Sequence, residues 1–190
     1  MSNDSADIIR ILFEAFDPLL PHEQREANKG AAAFVPPHLR SDIDDLNSWV
    51  YGTVNNGVYK VGFATSQIAY DEHVGKLFQS LDRLENHMSE PSHHPYLFGQ
   101  YITEADIRLF TTLIRFDVAY YTIFKCNLKM IRLDYPHLHA WLRRLYWGEG
   151  AETGGGAFRS TTNFDVVRAI SLPPSGHLTN EDRSNEVTPV

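Results

Sequence analysis

The stretch Tyr101-Ile102-Thr103-Glu104-Ala105-Asp106-Ile107, followed by a run to Tyr135 that holds neither glycine nor proline, constrains the fold more than any other feature of this chain. A threonine three residues before an aspartate is the pattern of a capping box. The hydroxyl takes the amide of the third helical residue, and the carboxylate reaches back to the threonine amide. Ile102 and Ile107 stand where a hydrophobic staple closes such a helix start. The spacing predicts a long buried helix from Glu104, with Ile107, Phe110, Leu113, Ile114 and Tyr121 inward.

The same helical period governs the rest of the chain. Ile8, Ile9, Leu12, Phe13 and Phe16 share one face, with Asp4 or Ser5 as N-cap. Residues 17–37 place Pro18, Pro21, Gly30, Pro36 and Pro37 around an alanine run, a connecting segment between two packing units. A helix then starts near Pro37 with Leu39, Ile43, Leu46 and Val50 as its stripe and Trp49 beside it. Asn55-Asn56-Gly57 reads as a left-handed C-cap or a kink. Thr65-Ser66 can cap a third helix carrying Tyr70, Val74, Leu77, Phe78, Leu81, Leu84 and Met88. Residues 89–100 read as a polar loop, and Pro136 opens a helix with Leu138, Trp141, Leu142 and Leu145. Gly148–Gly156 reads as a flexible loop, and 172–190 as too polar and proline-rich to fold alone. No alternating run is long enough for a sheet, so the class is all-α, a bundle of about five or six helices.

Charge and cysteine usage then narrow the function. Seventeen basic against twenty-four acidic residues leave a net charge of −7, which argues against a dedicated nucleic-acid binder. No stretch approaches the ~20 apolar residues of a membrane span. Met1-Ser2-Asn3-Asp4 lacks a basic region leading into an apolar one, so no secretory signal is expected. A single cysteine, Cys126, fits a reducing compartment, and the expected location is cytoplasmic.

Several motifs together carry a resemblance. They are Asn55-Asn56-Gly57-Val58-Tyr59-Lys60 with Gly62-Phe63-Ala64, the run from Thr103 to Thr112, Arg115-Phe116-Asp117, Phe124-Lys125-Cys126-Asn127 and Asp134-Tyr135-Pro136. Over residues 3–165 the chain resembles the glutathionyl-hydroquinone reductases, the Xi class of omega-like glutathione S-transferases, with the fungal type nearest. That family joins an N-terminal thioredoxin-like domain to a C-terminal helical bundle. The resemblance therefore implies a division into 1–16 (last helix of the thioredoxin-like domain), 17–37 (linker), 38–171 (helical domain) and 172–190 (tail). It implies glutathione as co-substrate, with Asp4 and Ser5 at the γ-glutamyl position and Asp4 in place of the usual glutamate. It makes Tyr59 the phenol that hydrogen-bonds a hydroquinone, and it implies homodimerisation through the helical domain, with no nucleic-acid or membrane partner. The family's nucleophilic cysteine and cis-proline loop have no counterpart in this sequence, so the chain is read as truncated, with no catalytic residue and no activity by itself. From Val166 to Ser171 it departs from the family, which leaves half of the quinone-side wall without a match.

Other residues read as structural. Cys126 matches a non-reactive family position and is expected to be buried and inert. His93-His94 and His137/His139 lack metal-ligand spacing, so no metal is expected. Thr103 and Asp106 are given a purely local capping role, Arg143-Arg144 a solvated face, and Gly154–Gly156 no phosphate-binding context. A second function class stays open, a non-catalytic interaction module. The apolar face of the first helix lacks the sheet it would normally cover, so deleting residues 1–16 is expected to leave the melting temperature nearly unchanged.

Overall fold

A computed structural model of the protein describes residues 5–171, with side chains from Asp7 to Val167. Asp4, the Ser5 side chain and the segment 172–190 lie outside the described residues. Among those described, every regular element is helical. The body is formed by α2 (Arg40–Val50), α3 (Gly57–Gly62), α4 (Gln67–Ser89), α5 (Glu104–Leu113) and α8 (Pro136–Trp147). Ile43, Leu77, Leu81, Leu84, Leu109, Leu138 and Leu145 are fully buried among them. As the sequence predicts, Ser66 caps α4, its hydroxyl accepting the Ala69 amide at 3.2 Å.

The capping box forms at the start of α5 but reaches further than its local role. Asp106 Oδ2 accepts the Thr103 amide and hydroxyl, each at 2.9 Å. Its Oδ1 accepts the Leu97 amide at 3.0 Å and the Trp141 indole N–H at 2.9 Å. One buried carboxylate thus ties the 96–99 loop and α8 to α5. Burial pushes the Asp106 carboxyl upward, and the Leu97, Thr103 and Trp141 hydrogen bonds pull it back. The loop 89–100 is accordingly not polar throughout. Tyr96 and Leu97 are core residues, because the carboxylate satisfies the amide that enters with them.

The long helix from Glu104 does not form. α5 stops at Leu113, a wide π turn follows over Phe116–Tyr120, and α6 (Tyr121–Ile123) ends before a left-handed residue, Lys125, at φ 56°. Absence of glycine and proline does not make a helix where tertiary bonds compete. Asp117 accepts the Ile131 and Arg132 amides at 2.8 and 3.0 Å, which folds the chain back into α7 (Ile131–Asp134). The helix breaks at Ile114–Arg115 ahead of that turn, so the inward phase is set anew beyond it. Tyr120 is buried in place of Tyr121; Ile107, on α5 before the break, is itself 37% exposed.

Asn55-Asn56-Gly57 is a kink of the same kind rather than a left-handed cap. Tyr51–Asn55 forms a π turn, and Asn56 is right-handed at φ −85°, ψ −19°. Asn55 fixes the turn by donating to the Arg108 carbonyl at 3.1 Å and Thr112 Oγ1 at 2.6 Å. Gly148–Gly156 is an ordered turn: Thr153 is buried and its hydroxyl donates to the Gly148 carbonyl at 2.8 Å. Gly154, Gly155 and Gly156 all take positive φ to turn into α9 (Ala157–Ser160). α10 (Phe164–Ser171) packs beside the second π turn, in the region where the resemblance lapses.

α1 (Ser5–Phe16) is anchored, contrary to the expectation for its deletion. Arg10 pairs with Glu104, whose side chain is fully buried, and with Asp44 at 2.6 Å. Phe13 stacks on Phe34 with ring centres 4.5 Å apart. The linker is a stapled chain of 3-10 turns. Asp17 accepts the Glu26 amide at 2.6 Å, and Glu26 accepts the Phe34 amide at 2.7 Å. On the other side of α1, Ile8, Leu12 and Phe16 stay 41%, 50% and 55% exposed.

Candidate functional site

Tyr59 stands on α3 with its ring half exposed, and it is the centre of an aromatic corner. Its ring lies 5.8 Å from Tyr120, 5.4 Å from Phe124 and 6.4 Å from Phe63. The Tyr59 and Tyr120 hydroxyls are 3.3 Å apart, within hydrogen-bond reach of each other. Phe63, which caps the end of α3, is largely exposed, so the corner opens to solvent along one side. Two π turns build this meeting point: one leads into α3 and the other carries Tyr120.

The two phenols differ in environment. Tyr120 is buried, and burial first, then the Tyr59 hydroxyl, pushes its phenol well above the usual range. Tyr120 is thus a neutral O–H at ordinary pH. With Tyr120 as the donor of the hydrogen bond between them, the Tyr59 O–H is left to donate outward to an oxygen held in the corner. Such a pair suits a planar ring bearing oxygen, with stacking faces from the phenyl rings and one directed donor.

The structure brings Tyr59 together with Tyr120, Phe124 and Phe63, three residues to which sequence reasoning assigned no role. Helical phase, counted through an unbroken helix, selects Tyr121 instead. The only usable signal for Phe124 is its place in the Phe124–Asn127 motif. Cys126 lies behind the corner, fully buried in a segment without regular structure, its amide donating to the Tyr120 carbonyl at 3.1 Å. Burial pushes its thiol up to about 12, so it presents no thiolate at neutral pH. His93 stacks on His87 at 3.7 Å, and His94 faces His137 at 6.0 Å. Among the described residues no three His, Cys, Asp or Glu side chains form a group that could hold a metal ion. No described helix is long and apolar enough to cross a membrane.

The helical body has counterparts among known proteins. The family description "Glutathione S-transferase, C-terminal domain" matches residues 67–144. The helical body has the fold of a glutathione S-transferase C-terminal domain. Its relatives are Xi-class and omega-like members of that family. It is 45% identical over 168 residues to glutathione S-transferase omega-like 2 of Schizosaccharomyces pombe, covering 88% of this chain and 50% of the relative. It is 49% identical to glutathionyl-hydroquinone reductase YqjG of Escherichia coli, again over 88% of this chain, and 45% of that protein. The crystal structure of glutathione transferase Xi 1 from Trametes versicolor superposes with a TM-score of 0.75 at 48% identity, covering 87% of this chain and 52% of that one. The chain therefore spans about half the length of the relatives it matches. YqjG has been solved with glutathione bound.

Proposed function

We propose that this glutathione S-transferase domain supplies the ring-binding wall of a glutathione-dependent reductase acting on glutathionyl-hydroquinones. The observation that carries the reading is the Tyr59–Tyr120 hydroxyl pair, 3.3 Å apart in an open aromatic corner. The likeness to a glutathionyl-hydroquinone reductase supports it. The reaction is G–S–Ar(OH)2 + GSH → H–Ar(OH)2 + GSSG. The carbon–sulfur bond is replaced by carbon–hydrogen, and the two glutathione sulfurs join. Tyr59 hydrogen-bonds a ring oxygen of the hydroquinone, and Tyr120 orients Tyr59. Asp4 and Ser5 take the γ-glutamyl end of glutathione, weakly in this chain, since two contacts do not offset the cost of ordering a flexible tripeptide.

The reacting thiol is not Cys126, whose buried sulfur lies behind the corner and carries no charge at neutral pH. In this reading residues 1–16 belong with a thioredoxin-like half, 17–37 are the linker, 38–171 the helical domain and 172–190 a tail. The domain also makes a cytoplasmic homodimer. The chain by itself is inactive. Assay of the purified chain with a glutathionyl-hydroquinone and glutathione tests this, with Cys126→Ser as control. No turnover above buffer is expected, and turnover that disappears with Cys126→Ser would defeat the assignment. The exposed apolar side of α1 favours a second reading, a non-catalytic docking module. A partner captured through α1, with no arene binding at Tyr59, would select it.

A further inference from the structure

We infer that Gly62 and Phe124 are positioning residues that set the spacing of the Tyr59–Tyr120 hydroxyl pair. The inference rests on the ring-binding reading above and extends it to residues that touch no substrate oxygen. A Cβ on Gly62 would lie 2.3 Å from Phe124 Cγ, 2.5 Å from Cδ1 and 2.8 Å from Cβ. Those atoms are the stem and near edge of the ring rather than a flexible tip, so they have no small adjustment to make.

Nor is the backbone of Phe124 free to retreat. Its amide and that of Cys126 both donate to the Tyr120 carbonyl, at 3.2 and 3.1 Å. Lys125 between them is left-handed, and its carbonyl accepts the Tyr70 hydroxyl at 2.7 Å. The ring so held lies 5.4 Å from Tyr120, nearly parallel to it at 25°, and 5.4 Å from Tyr59 at 61°. Phe124 is thus wedged between α3 and both phenols. Its place depends on the missing side chain at Gly62, and the separation of the two hydroxyls depends on its place. Any side chain at 62 displaces the wedge and with it the ring that both phenols pack against.

The test is equilibrium binding of 1-naphthol, a fluorescent planar phenol without quinone reactivity, to the full chain and its variants. Tyr59→Phe is expected to weaken binding about tenfold, the size of one hydrogen bond. Gly62→Ala and Phe124→Leu should each weaken it by a similar factor. Gly62→Ala/Phe124→Ala should be no worse than Phe124→Ala alone, because alanine at 124 removes the Cγ and Cδ1 that the new Cβ meets most closely. Gly62→Ala binding as the wild type does, or the two effects multiplying, overturns the positioning role while leaving Tyr59 as the contact. Phe124→Leu adds no atoms to occupied space and carries the test if Gly62→Ala does not fold; unchanged binding there also overturns the role. If Tyr59→Phe itself changes nothing, the ring-binding reading falls and this inference with it. Near-ultraviolet circular dichroism of each variant separates a displaced ring from a lost fold.

Discussion

Replacing Arg10 by methionine tests how α1 is held. The substitution keeps most of the aliphatic stem and removes the guanidinium from Glu104, a carboxylate with no solvent exposure. The Glu104 hydrogen bond is the largest cause of the rise in the Arg10 pKa, which marks the strength of the pairing. Removing one partner of a buried ion pair costs about 3–5 kcal/mol, because the other charge is left without compensation. Here Arg108 remains 3.8 Å from Glu104 Oε1 and Arg10 is itself 21% exposed, so the cost falls to the bottom of that range or just below it, about 2–3 kcal/mol. For a chain of this size that is a fall of about 5–10 °C in melting temperature. Thermal melts followed by far-ultraviolet circular dichroism measure it, and deletion of residues 1–16 should give a loss of comparable size. Arg10→Met/Glu104→Gln should recover much of the loss, since no uncompensated charge stays buried. A single variant melting within about 1 °C of the wild type, or a double variant no better than the single, would refute the reasoning.

Other outcomes rest on the same bonds. Asp106→Ala strands the Leu97 amide and the Trp141 indole N–H, at about 1–3 kcal/mol for each buried group, and denaturant melts should show at least about 2 kcal/mol lost. Burial, as the largest cause, lowers the His87 pKa, so the fold favours the neutral ring while the unfolded chain takes up a proton near pH 6.5. Stability is therefore present above about pH 6.5 and is lost as pH falls toward the depressed folded value. His87→Gln should flatten the dependence of melting temperature on pH in that window, and an unchanged slope would contradict the sign. Cys126 should resist a thiol-specific disulfide reagent at about pH 8 in the native protein and react fully in guanidinium, with rapid native labelling counting against its burial.

The elements with one dominant local signal were legible in the sequence. Ser66 before a seven-residue apolar stripe, Thr103 with Asp106, and Pro136 at a helix start each specify their structure through neighbours within four residues, and all three stand as expected. The illegible parts depend on partners far along the chain. The break after Leu113 is made by Asp117 binding amides fourteen and fifteen residues away. Leu97 enters the core because Asp106 accepts its amide, and α1 is held by a residue 94 positions away. The site was half legible for the same reason. Tyr59 came from its motif, whereas Tyr120 required knowing where the helical phase slips.

That slip bears on how such a site is gained or lost. A π turn is a helix holding one surplus residue, and each phenol of the pair sits on or just beyond one such surplus. Removing the surplus residue from either turn would restore ordinary helix and leave the flanking segments in register, whereas removing a residue from α3 ahead of Tyr59 would swing the succeeding residues by about 100° around the axis. The first change needs only local repacking; the second parts the two hydroxyls. Among chains of this shape, a one-residue change of length is therefore absorbed at the two π turns and costs the corner when it falls between the first of them and Tyr59.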